Sequence, residues 1–248
     1  MIDEFNKYVS NYDLNNVDIK LKYDHSMRVM ELMGKYAGLL NYSEDDIELA
    51  KVIGLLHDIG RFEQLKVYKT YVDSKSVDHA DYSVVQLFDK NEIELFTKKE
   101  DWYPVIRFAI QNHNKLVIPE CSDLRVLRMT KLIRDIDKLD IMYLLGVLKE
   151  LNKKIDKNIE ITQEVKDCIF KHESIDNNIV KNYNDRLVVQ FAFVFDIYND
   201  IVLKEYKEYF KCYYEQLEDD GRFKEIYEEV IKYIDERIDN YERNRNKI

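Results

Sequence analysis

Glycine and proline are scarce: six glycines and two prolines punctuate 248 residues. So few breakers leave little material for the turns of a many-stranded β protein, and the stretches between them are rich in Leu, Ile, Lys and Glu. Apart from β-branched Ile these are fair to good helix formers, and the expected class is all-α. Cysteine is equally sparse. Cys121, Cys168 and Cys212 are odd in number, far apart and lack CxxC spacing, which argues against a disulfide framework and reads as free thiols in a reducing cytoplasm. No apolar run approaches the roughly 20 residues needed to span a bilayer, and the N-terminus "MIDEFNKYVSNYDLNN" lacks a basic region followed by an apolar one. A cytoplasmic protein without a membrane partner is expected. An excess of basic charge is missing too: 48 Asp and Glu face 38 Lys and Arg, for a formal charge of −10. That balance disfavours a broad surface for duplex nucleic acid, while a local positive pocket stays compatible with it.

What is abundant is amphipathic sequence: 46% of residues are hydrophobic and 35% charged, enough for a sizeable core under a solvated exterior. "HSMRVMELMGKYAGLL" places Val29, Leu32, Met33, Tyr36, Ala37 and Leu40 at helical spacing and predicts a helix over about 25–40. Ser43 is placed to cap the next helix, "SEDDIELAKVIGLLHD", with Asp46 resembling the acidic half of a capping box. Gly60 falls where a left-handed C-cap residue is expected. Residues 61–76 lack a clean helical period and read as an ordered loop with one short helix at most. Ser76 and Asp101 are the expected caps of "VDHADYSVVQLFDK" and "WYPVIRFAIQNHNK", with Pro104 tolerated in the first turn. "SDLRVLRMTKLIRDIDKLDIMYLLGVLKEL" suits one bent helix or two abutting ones. From about residue 160 the texture turns aromatic and then charged, predicting a helical C-terminal elaboration with a frayed tail. The division expected is 1–155 for the main domain and 156–248 for an extension packed on the same core. The aromatic segment 183–214 has three readings: a cap on the pocket, part of the core, or a surface for a second copy of the chain.

Chemistry concentrates in the histidines. Of five, His25, His57, His79 and His113 fall at or near the ends of predicted helices in the first half of the chain, and His172 stands apart. Singly, each is more often a hydrogen-bonded packing residue than a ligand. The neighbours His57 and Asp58 differ, because adjacent helical side chains diverge by about 100°, and only at a helix terminus can both turn toward one ion.

The ordered set His25, His57-Asp58, His79, His113 and Asp137, within "HDIGRFEQ", "DHADYS", "NHNK" and "RDIDKLD", resembles the HD-domain superfamily of metal-dependent phosphohydrolases, in a bacterial branch with a binuclear ligand set. The resemblance spans roughly residues 20–145. It implies an HD-type helical bundle in which His25, His57, Asp58 and Asp137 hold one metal, His79 and His113 serve a second, and Asp58 bridges both. Four imidazoles with carboxylates suit Fe, Mn, Co, Ni or Zn better than an all-oxygen magnesium cage. Such ions would lower the pKa of a shared water and attract an anionic phosphoester.

Asp58 and Arg61 are then the candidate catalytic residues, Arg61 meeting a phosphate oxygen through its planar fork of donors. Lys115, Arg134 and Lys138 are further candidates for substrate binding; Arg134 and Lys138, four apart, share a helix face and have Asp135 and Asp140 as alternative partners. The activity implied is hydrolysis of a nucleotide or another small phosphoester. The "GYP" element of cyclic-dinucleotide hydrolases is lacking. Two other readings use the same residues: a mixed-valent di-iron oxygenase, and a non-catalytic nucleotide sensor.

Overall fold

The computed structural model describes residues 1–149 and 154–245, and every regular element among them is helical. They form two units, 1–136 and 137–248, that divide within one helix. The first unit contains α1 (Ile2–Val9), α2 (Val17–Leu39), α3 (Glu44–Leu56), α4 (Gly60–Tyr68), α5 (His79–Val84), α6 (Ile93–Phe96), α7 (Tyr103–Gln111) and the start of α8 (Leu124–Gly146). The expected boundary near 155 lies beyond the end of α8. A helix continuous through Ile136 and Asp137 carries no sequence mark of the division.

α2 begins eight residues earlier than its apolar period suggests, because Asn16 caps it by accepting from the amides of Asp18 and Ile19. The intervening "VDIKLKYD" alternates apolar and polar residues as a strand would, which hides the helix. His25 consequently stands inside α2 and does not open it. Ser43 caps α3 as expected, its Oγ accepting from Asp46 N at 3.2 Å, but the Asp46 carboxylate pairs with Arg125 at 2.6 Å and Arg128 at 3.4 Å. Residues 60–68 form α4, the short helix that the reading of 61–76 allowed, with Gly60 as its first residue and not a left-handed cap. Asp78, and not Ser76, caps α5 through the amides of Ala80 and Asp81. Asp101 belongs to a 3-10 turn before α7, which has no side-chain cap and carries Pro104 in its first turn.

Two close approaches set the arrangement. A Cβ on Gly54 of α3 would lie 2.9 Å from Met33 Cγ and 3.0 Å from both Met30 Cα and Val29 O, so α2 and α3 cross almost backbone to backbone there. A Cβ on Gly60 would lie 2.6 Å from Ser83 N, and Gly60 N donates to Ser83 Oγ at 2.9 Å, drawing α4 onto α5. His57 and Asp58 lie between these glycines. One crossing brings α2 alongside the pair, and the other brings α5. Val29, Met33, Ala37, Leu49, Ile53 and Leu56 are fully enclosed. Each larger side chain contributes about 1.5–3 kcal/mol by burial, enough together to offset desolvating a few polar groups at the same depth.

The second unit contains the rest of α8, then α9 (Gln163–Phe170), α10 (Tyr183–Phe191), α11 (Leu203–Gln216) and α12 (Lys224–Arg245). Its core is aromatic: the Phe191 ring lies 4.9 Å from Phe210 and 5.8 Å from Phe223, and Tyr206 and Tyr213 are buried with them. Of the readings for segment 183–214, this burial supports the core. His172 accordingly packs, its ring 4.6 Å from Tyr233 and its Nε2 2.9 Å from Glu229. α12 runs to Arg245, and the tail expected to fray falls on residues outside the description. Among the described residues no helix is long and apolar enough to cross a membrane.

Candidate metal centre

Four imidazoles meet in the first unit. The His25 and His57 ring centroids are 5.1 Å apart, His57 and His113 5.2 Å, and His79 and His113 4.9 Å. His25 comes from the middle of α2, His57 and Asp58 from the break between α3 and α4, His79 from the first residue of α5, and His113 from just past α7. The break matters. His57 ends α3 with its Nδ1 bonded to Gly54 O at 2.8 Å, and Asp58 can turn inward because α3 has already stopped.

Asp58 lies at the centre. Its Oδ2 is 3.7 Å from Nε2 of both His25 and His57, and its Oδ1 is 3.6 Å from His79 Nε2 and 3.8 Å from His113 Nε2. Burial acts to raise the Asp58 pKa, but Lys22, His57, Arg61 and His79 outweigh it and hold the carboxyl well below the usual range. Oδ1 is buried and has no hydrogen-bond partner.

The imidazole tautomers follow from their outer contacts. A backbone carbonyl only accepts, so the bonds from His57 Nδ1 to Gly54 O and from His113 Nδ1 to Ile110 O, the latter at 2.7 Å, place the proton on Nδ1 in both rings. His79 Nδ1 is 2.5 Å from Asp73 Oδ2. Burial acts to raise the Asp73 pKa, but the bonds and charges of His79, Arg61 and Gln64 hold it well below the usual range, so this carboxylate also accepts. When neutral, the rings of His57, His79 and His113 therefore carry their lone pairs on Nε2. His79 and His113 direct theirs at each other across 3.1 Å. Two lone pairs at that distance repel unless a cation is shared between them. His25 and His57 Nε2 approach equally closely, at 3.1 Å.

The residues thus fit a metal. His25, His57 and Asp58 form one group, and Asp58, His79 and His113 another, each with ligand atoms within 4.8 Å of one another. Asp73, Asp78 and His79 meet the same distance. There, however, Asp73 is already bonded to His79 and Arg61, and Asp78 to Lys115. Asp137 is half-buried on α8 as the first residue of the second unit.

The cationic candidates are placed unevenly. Arg61 Nε lies 3.6 Å from Asp58 Oδ1 and has no hydrogen-bond partner, while its Nη1 donates to Tyr71 O at 2.7 Å and to Asp73 Oδ1 at 2.8 Å. The other three engage partners of their own. Lys115 pairs with Asp78 and Asp81, both at 2.9 Å, which ties the loop after His113 to the start of α5. Arg134 is buried and donates to Asn112 O at 2.6 Å and His113 O at 3.4 Å, so it positions the His113 backbone. Lys138, in the second unit, pairs with Asp196 at 2.6 Å.

Lys22 and Asp73 were not among the expected site residues. Lys22 Nζ lies 2.7 Å from Asp58 Oδ2, and its position three residues before His25, on the same helix face, was the available signal. Asp73 reaches the site from a 3-10 turn between α4 and α5, and nothing in its local sequence marks it.

A helical protein that gathers imidazoles around one buried carboxylate has the makings of a His/Asp metal centre. The family model for the HD domain matches residues 23–142, and this span of the chain is an HD domain. HD-domain proteins bind divalent metals and are typically of the metal-dependent phosphohydrolase type. No curated protein and no solved structure matches the chain.

Proposed function

We propose that the protein is a metal-dependent phosphohydrolase acting on a nucleotide or another small phosphoester. The observation that carries this reading is the unbonded Asp58 Oδ1 beside two Nε2 lone pairs directed at each other across 3.1 Å. His25, His57 and Asp58 would hold one ion. Asp58, His79 and His113 would hold a second. The donor set suits Fe, Mn, Co, Ni or Zn. When bound, such ions supply Lewis acidity and make water a competent nucleophile at neutral pH.

The remaining work belongs to this chain's own side chains. Asp73, Gln64 and the Tyr71 carbonyl hold Arg61 Nη1 in place. Arg61 Nε, buried and without a hydrogen-bond partner, is left as a donor for a phosphoryl oxygen, and its charge opposes the negative charge that accumulates there. The enclosed His25, His57 and His113 keep bulk water from the inner wall.

The test is metal analysis of protein purified without chelators, then a phosphatase and phosphodiesterase screen with the metal found. His57→Ala and Asp58→Ala are expected to abolish metal content and turnover together; retained turnover in either refutes the assignment. Turnover that requires iron and dioxygen would instead identify the oxygenase, and nucleotide binding without turnover the sensor.

A further inference from the structure

Lys22 has no part in the chemistry described so far. It lies on α2 three residues before His25, so both side chains leave the same helix face. Its ammonium bonds Asp58 Oδ2 at 2.7 Å, the oxygen nearer His25 and His57, while Arg61 stands at Oδ1. The six side chains around Asp58 differ in exposure: Lys22 is 19% exposed, Arg61 13% and His79 9%, against 1% or less for His25, His57 and His113. The outlet toward solvent is therefore on the Lys22 and Arg61 side. Tyr71 lines it, with its ring centroid 5.8 Å from Lys22 Nζ and 5.7 Å from Arg61 Cζ, and its hydroxyl donates to Asp18 O at 3.0 Å.

An ammonium at hydrogen-bond distance from Asp58 Oδ2 competes with any cation for that oxygen and repels it. We propose that Lys22 is a substrate-binding residue. Once the His/Asp cluster holds its ions, the ammonium leaves Asp58 and joins Arg61 Nε in receiving the phosphoryl group at the solvent side. The inference rests on the metal-dependent reading above. It also narrows the substrate to a phosphomonoester. Such a group has three non-bridging oxygens, one for each of the two donors and one for the cations, whereas a diester has two.

Calorimetry separates the two roles. Mn²⁺ is titrated into metal-free protein and inorganic phosphate into Mn²⁺-loaded protein, for wild type, Lys22→Met, Lys22→Arg and the surface control Lys20→Met. Losing one charge-assisted bond, Lys22→Met binds phosphate about tenfold more weakly. Freed of the competing ammonium, it binds Mn²⁺ more tightly than wild type. Lys22→Arg retains phosphate binding, and Lys20→Met changes neither. A purely structural lysine would weaken both ligands together, and that result, or unchanged phosphate affinity in Lys22→Met, overturns the proposal. Methyl phosphate displaces inorganic phosphate and dimethyl phosphate does not; the reverse preference overturns the monoester assignment. Wild type that binds no Mn²⁺ removes the metal reading itself, and this inference with it.

Discussion

Replacing Asp73 by asparagine changes one atom type and tests the tautomer argument directly. The Asp73 carboxylate has Oδ2 2.5 Å from His79 Nδ1, while Oδ1 accepts from Arg61 Nη1 at 2.8 Å and Gln64 Nε2 at 3.0 Å. In Asp73→Asn two donors still require the amide oxygen, so the amide NH₂ turns toward His79. A donor facing Nδ1 favours the tautomer with its proton on Nε2, and a protonated Nε2 cannot ligate. Losing an outer partner of this kind costs about 10–100-fold in metal affinity, or about 1.4–2.7 kcal/mol. The loss should be one-sided. His25 and His57 do not contact Asp73 in any described bond, so a Mn²⁺ titration of metal-free protein should show two ions for wild type, and for the variant one retained and one weakened. Two sites of unchanged affinity in Asp73→Asn would show that the Asp73 contact does not set the His79 tautomer, and the reasoning would fail.

Two further expectations concern stability. Gly60→Ala would gain about 1 kcal/mol of helix propensity, but its Cβ would lie 2.6 Å from the backbone nitrogen of Ser83, which cannot swing aside as a side chain can. Overpacking of that kind costs about 1–3 kcal/mol, so the net should be a lower thermal midpoint, and an unchanged one would contradict the close α4 and α5 approach. Asp73 and Asp78 both have lowered pKa values; burial opposes the shift, but His79 and Arg61 outweigh it at the first, and Lys115, the Asp81 amide and Asn114 at the second. A carboxyl depressed on folding contributes stability that is present above its unfolded value near about 3.9 and is lost as pH falls through the folded value. Metal-free protein should therefore lose stability on acidification below about pH 4, and Asp73→Asn should show a shallower loss in denaturant titrations across that range.

How much was legible follows from the range of each interaction. The scarcity of Gly and Pro and the long amphipathic stretches announced an all-helical chain, because helix formation is governed by residues three and four apart. His57 and Asp58 stood out for the same reason, since an adjacent pair can converge only where a helix stops. Boundaries depended on single side-chain caps, so Asn16 and Asp78 moved helix starts that the apolar period had placed elsewhere. The division after Ile136 fell inside α8, where no local signal exists.

By itself, then, the sequence determined the helical class, the order of the histidines and the family they resemble. Only tertiary structure decided that the four imidazoles enclose Asp58, that Lys22 and Arg61 stand at its two oxygens, and that Lys115, Arg134 and Lys138 are engaged with other partners. The physical reason is that these contacts join residues distant in the chain, those at Asp58 through crossings at Gly54 and Gly60. Whether a charged side chain reaches the site or pairs on the way is set by that packing.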